Sequence, residues 1–179
     1  MLSAAHKQAL LELARDTVSR VAHGEGAGDA GPAPDGLGAP GAAFVTVRVG
    51  GALRGCIGTF EPTDPLWSTV HDMAAAAAAR DPRFPPLGER ELAALTLDIS
   101  VLAPPRRMRD VAELELGRHG VEIRRGRRRG LLLPQVATDH GLDRETFLAE
   151  TCRKAGLPSD SWRDPHTEVW LFEADVFGG

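Results

Sequence analysis

The segment LRGCIGTF at 53–60 sets Cys56 between Gly55 and Gly58, with Arg54 two positions before the thiol. Glycine weakens a strand and marks close approach of a ligand or another backbone, so two of them around a cysteine single this run out. The preceding run, FVTVRV at 44–49, is separated from it by Gly50, Gly51 and Ala52, which makes a hairpin. Its register decides the chemistry. A two-residue loop would put Cys56 opposite Val45, on the valine face. A three-residue loop that includes Ala52 would set Leu53, Gly55 and Ile57 against Val49, Val47 and Val45. Arg54 and Cys56 would then share the other face, roughly 6 to 7 Å apart between Cα atoms. The three-residue loop is expected, because it gathers the apolar set on one side. A guanidinium at that range suits a nucleophilic or metal-binding thiol. The competing reading is a cysteine packed as a small hydrophobe.

Other reactive types have simpler expectations. Cys152 falls on the helical stripe Leu148, Cys152, Ala155 and reads as a core thiol. The six histidines show no paired metal-ligand spacing, so no metal site is predicted. His71 and Asp72 fit a solvated helix face, and His119, just before Gly120, fits a turn. Arg124, Arg125, Arg127, Arg128 and Arg129 surround Gly126. They read as a solvated hairpin tip, with phosphate or acidic-partner binding as the sharper alternative.

The elements that must position these groups are legible from periodicity. Ser3 is placed to cap a helix over residues 4–22 with Leu10, Leu13, Ala14, Thr17, Val18 and Val21 on one stripe. Asp64 and Pro65 are placed as N-cap and first residue of a helix running to Arg80, which DPRFPPLG stops. Glu89–Leu92 predicts a short helical turn. In LTLDISVL, Leu95, Leu97, Ile99 and Val101 alternate with polar residues, as in a half-buried strand. HGVEIRRGRRRGLLLP at 119–134 predicts a second hairpin, PQVATDH a short helix ended by Gly141, and Asp143 the cap of RETFLAETCRKA. TEVWLFEADVF predicts a last strand covered on both sides. The expected class is α+β: a largely antiparallel sheet flanked by helices, with a smaller subdomain, in a single domain over 1–179. Residues 24–41 hold seven Gly and three Pro in 18 positions and predict an exposed, flexible loop.

Composition bounds the partners. At 179 residues the chain can bury a core without staples, and two cysteines exclude a disulfide scaffold or a four-thiolate site within it. No apolar run approaches the roughly 20 residues that cross a bilayer, so no membrane partner is expected. The N-terminal sequence fits neither a secretory signal nor a transit peptide, which makes the cytoplasm the expected compartment. The formal net charge of -4 argues against general nucleic-acid binding.

LRGCIGTF at 53–60, DPRFPPL at 81–87, HGV at 119–121, LLLPQVA at 131–137, KAGLP at 154–158 and EVWLFEADVF at the end occur in this order. Together they resemble the AMMECR-type domain family, in particular its bacterial and archaeal form, AmmeMemoRadiSam system protein A. The resemblance implies a two-subdomain α+β fold and Memo-type and radical-SAM proteins as partners; it supplies no activity and no cofactor. The motif residues map onto Arg54, Gly55, Cys56, Gly58, Asp81, Arg83, Phe84, His119 and Lys154. If they converge, thiol, guanidinia, imidazole and amine would suit an anionic small molecule. The expectation is a small enzyme or enzyme subunit in which Cys56 and His119 act chemically and the others bind. The alternatives are a non-catalytic partner of Memo-type and radical-SAM proteins, or nucleotide or nucleic-acid binding through the Arg124–Arg129 hairpin.

Overall fold

The computed structural model describes residues 2–179. The chain divides into two units, one made of residues 1–102 with 175–179 and a second made of residues 103–174. The fold is α+β, and every strand pairing named below is antiparallel.

In the first unit, helix α1 (Ala4–Ala22) starts where Ser3 accepts from the His6 N–H, as its capping chemistry predicts. Its buried stripe is Leu10, Ala14, Thr17 and Val18. Strand β1 (Ala42–Val49) lies between β2 (Ala52–Gly58) and β3 (Leu95–Leu102), which leaves β2 at the sheet edge. Helix α2 (Leu66–Ala79) packs with α1 over Val45, Val47, Leu97 and Ile99. Pro65, not Asp64, takes the position before α2, because it is held extended in a bridge to Pro40.

The β1–β2 hairpin differs from the expected three-residue loop. Its turn has two residues, Gly50 and Gly51, both at positive φ, with Val49 paired to Ala52 and Arg48 to Leu53. That turn hand matches the twist of paired strands and needs glycine. A bulge then shifts the register, so that Gly55 faces Val47, Cys56 faces Thr46 and Ile57 faces Val45. Arg54 is the extra residue. The pairing expected at Cys56 is therefore present, but it arises from a bulge rather than from a longer loop.

Residues 24–41 form no helix, and beyond the Pro40 bridge no strand, and most of them are exposed, yet they are anchored rather than loose. Leu37 is fully buried among α1 and α2 residues. Trp67 Nε1 donates to Ala30 O at 2.7 Å, and His71 Nε2 lies 3.3 Å from Ala27 O. His71 is consequently buried, against the expectation of a solvated face, and Leu66 N–H donates to Ala39 O. Composition predicted the lack of regular structure; it did not reveal the single leucine that docks it.

In the second unit, β5 (His119–Arg125) pairs with β6 (Arg128–Leu132) on one side and β7 (Glu168–Gly178) on the other. The short β4 (Arg106–Arg107) pairs with β7. Helices α3 (Pro134–Asp139) and α4 (Arg144–Lys154) follow, the latter capped by Asp143 accepting from the Thr146 N–H. Their core joins Val121, Ile123, Phe147, Leu148, Cys152 and Leu171. Cys152 is fully buried there, as its stripe position predicts, and burial pushes its thiol pKa up. The last strand is not covered throughout, since Val176 is 48% exposed.

Candidate functional site

The site builds on the edge strand. The N–H and C=O of Cys56 point away from β1, where a further strand would pair with them, and the loop after α2 meets them instead. Cys56 N–H donates to Asp81 Oδ2 at 2.9 Å, and Arg83 Nη2 approaches Cys56 O at 3.5 Å. Asp81 and Arg83 thus offer one acceptor and one donor in place of a neighbouring strand, which protects an exposed edge. They also bind each other: Arg83 Nε and Nη2 donate to the two Asp81 oxygens at 2.9 and 2.7 Å, and Arg83 N–H adds a third bond at 3.1 Å.

Asp81 is buried, and the Arg83 hydrogen bond holds its carboxyl far below the usual carboxylate range, outweighing desolvation, with the Cys56 N–H assisting. The Arg83 guanidinium is raised above its ordinary value, chiefly by Asp81, with the Cys56 sulfur contributing. Its side chain is 54% exposed, so a charged face remains open to solvent.

Cys56 itself is partly exposed and unpaired with any other cysteine. Thr46 Oγ1 donates to its Sγ at 3.3 Å from the opposite strand. Gly55 faces the other way: a Cβ there would lie 2.0 Å from Ala77 O, so helix α2 presses on the β2 backbone where no side chain fits. A Cβ at Gly58 would meet Phe44 at 2.2 Å. Both glycines are required by close packing, the physical alternative to ligand access.

Arg54 does not stand free beside the thiol. The bulge interrupts the alternation that would align them, and its guanidinium binds Glu91 at 2.6 and 3.0 Å and the carbonyls of Pro85 and Pro86 at 2.7 and 3.2 Å. It ties DPRFPPL to the edge strand. Glu91 is held as a carboxylate by Arg54 and by the Gly88 N–H. Phe84 packs with the guanidinia of both Arg83 and Arg54, at 5.4 and 6.0 Å from its ring centre. The structure therefore brings Arg54, Gly55, Cys56, Gly58, Asp81, Arg83 and Phe84 together in the first unit. Thr46 and Glu91 complete the cluster and were not singled out by sequence. Thr46 was signalled only by register, and Glu91 only by its place three residues after Gly88 in a short turn.

His119 and Lys154 belong to the second unit. His119 is buried, not a turn residue, and its Nδ1 accepts from the Glu115 N–H at 3.0 Å. A neutral ring there carries its proton on Nε2, which lies 3.9 Å from Glu173 Oε1 beside a cavity of about 100 Å³. Lys154 ends α4. The arginine hairpin is no bare cationic tip. Arg124 and Arg129 bind buried Glu122, Arg125 binds Asp164, and Arg128 donates to Gly156 O. Among the described residues no group of three or more His, Cys, Asp or Glu is placed to hold a metal ion.

The AMMECR1 family model matches residues 11–177. The chain belongs to the AMMECR1 family. Protein NEQ441 of Nanoarchaeum equitans is 44% identical over 75% of this AMMECR1 chain and 79% of its own length. A Methanosarcina acetivorans protein is 39% identical over 99% of this chain and 93% of that protein. Among solved structures, the uncharacterized protein PH0010 from Pyrococcus horikoshii superposes with a TM-score of 0.91 at 36% identity, covering 99% of this chain and 93% of that one. These relatives support the AMMECR1 fold and assign no activity to it.

Proposed function

We propose that this AMMECR1 protein is a small enzyme or enzyme subunit that takes an anionic small molecule at the β2 edge, with Cys56 as nucleophile and Arg83 as anion clamp. The observation that carries the reading is a partly exposed thiol on a strand whose backbone is fixed by an Asp81–Arg83 pair, with that guanidinium half-exposed. A rigid element holds a reacting group better than a loop does. Attack by Sγ on a carbonyl carbon would form an S–C bond as the C=O π bond opens onto its oxygen, and the thiol proton would pass through water to that oxygen. Arg54 and Asp81 act as positioning residues, since their polar atoms are taken by Glu91, proline carbonyls and Arg83. Gly55, Gly58 and Phe84 shape the strand and loop around them. His119, with one ring nitrogen fixed and the other near Glu173, has the arrangement of an acid–base group within its own unit. Two free thiols fit a reducing compartment such as the cytoplasm.

The reading is tested by alkylation with a neutral and an anionic reagent. Iodoacetamide should label Cys56 faster than Cys152 by about tenfold or more, as exposure dictates. Iodoacetate should gain on iodoacetamide at Cys56 relative to a free thiol, lose that gain in Arg83→Gln, and recover it in Arg83→Lys. Equal labelling of the two cysteines, or a preference unchanged in Arg83→Gln, would overturn the proposal. Docking to Memo-type or radical-SAM proteins, and nucleic-acid binding, draw less support, because most of the arginine hairpin is consumed by internal partners.

A further inference from the structure

A cavity of about 580 Å³ opens in the second unit where β6, α3 and α4 meet. That volume falls within the range of about 300 to 1,000 Å³ typical of small-molecule sites. Leu132, Val136 and Leu142 supply an apolar wall; each is partly buried against the second core yet still lines the opening. The polar rim is Glu150, Arg153, Lys154 and His140.

Charge decides what the cavity suits. Arg153 and Glu150 bind each other and cancel. Lys154 has no hydrogen bond or ion pair among the described residues, so the rim carries one uncompensated positive charge when His140 is neutral. The backbone that carries the lysine packs on β6: a Cβ on Gly130 would lie 2.2 Å from Ala155 N and 2.7 Å from the Lys154 carbonyl carbon, so strand and helix end are in direct contact. A cation at a helix C-terminus also favours the helix dipole, but that role needs no apolar wall beside it.

We propose that this cavity binds a small monocarboxylate with a hydrocarbon chain, its carboxylate on Lys154 and its chain against Leu132, Val136 and Leu142. One positive charge matches one carboxylate, and the apolar wall matches the chain. The site shares no residue with the Cys56 cluster and stands or falls without it.

The test uses the full chain, amide NMR spectra, and octanoate and octylammonium as probes. Octanoate should shift amides in 130–142 and 150–156 in a saturable way, while octylammonium should not. Lys154→Gln should weaken octanoate binding about two- to fivefold, the scale of an exposed ion pair, and Lys154→Arg should restore it. Leu142→Gln should weaken binding with the lysine intact, and Cys56→Ser should leave it unchanged. Each variant is checked for a native spectrum before titration. Octylammonium binding as tightly as octanoate, octanoate shifts that do not saturate, or affinity unchanged in Lys154→Gln would overturn the proposal.

Discussion

Cys56 donates its backbone N–H to the side chain of Asp81 across 2.9 Å, so a carboxylate closes the hydrogen-bond ladder of an edge strand. Asp81 is buried and ionised, and Arg83 holds its pKa down. A carboxyl whose folded pKa lies below its unfolded value of about 3.9 adds stability that is complete above that value and is lost as pH falls toward the folded one. Stability measured by urea unfolding should therefore hold from pH 7 to about 5 and fall below about 4. In Asp81→Asn the acid limb of this curve should be shallower and the stability at pH 7 lower by about 2 to 4 kcal/mol, because Arg83 loses its partner and a buried bond loses its charge.

Gly55 and Gly51 separate two uses of glycine. At Gly55 an alanine Cβ would strike Ala77 O, a backbone atom that yields only if helix α2 moves. At Gly51 there is open space, and only the positive φ resists substitution. Chemical denaturation should show Gly55→Ala costing about 3 kcal/mol or more and Gly51→Ala about 1 kcal/mol. Equal costs would show that α2 does not press on β2 as described.

Much of this was legible beforehand. Ser3, Asp143, Gly141 and the alternation in LTLDISVL marked their elements because capping and periodicity are local. The Arg54 bulge was not legible, since a two-residue turn with a bulge and a three-residue turn give the same pairing at Cys56. The partners of the arginine hairpin were hidden for a similar reason. Glu122 reads as the polar member of an alternating strand, and only pairing with β6 and β7 buries it between Arg124 and Arg129.

That burial makes Glu122 testable. Desolvation alone would raise its pKa, but Arg124 and Arg129 hold it below the ordinary value. Glu122→Gln should destabilise the fold by about 2 to 4 kcal/mol by removing the buried carboxylate that Arg124 and Arg129 share. Arg124→Ala and Arg129→Ala should combine non-additively in a double-mutant cycle read by thermal unfolding.

Leu37 and Trp67 fix the glycine-rich segment by different means. Leu37→Ala should cost about 2 to 4 kcal/mol, as for a leucine removed from a core. Trp67→Phe keeps most of the apolar surface but loses the bond to Ala30 O, so it should raise amide hydrogen exchange across residues 24–41 with a smaller loss of global stability. Exchange unchanged in Trp67→Phe would show that the indole bond to Ala30 O does not hold the segment.

The strand β7 begins in the second unit and ends in the first, where Lys7 binds Asp175 at 2.5 Å and Gly179 N–H donates to Leu97 O at 3.1 Å. The second unit is thus nested within the sequence of the first. During synthesis the first unit cannot complete its contacts until residues 175–179 have left the ribosome, after the whole of the second unit has been made. The unit that carries Cys56 starts first and finishes last.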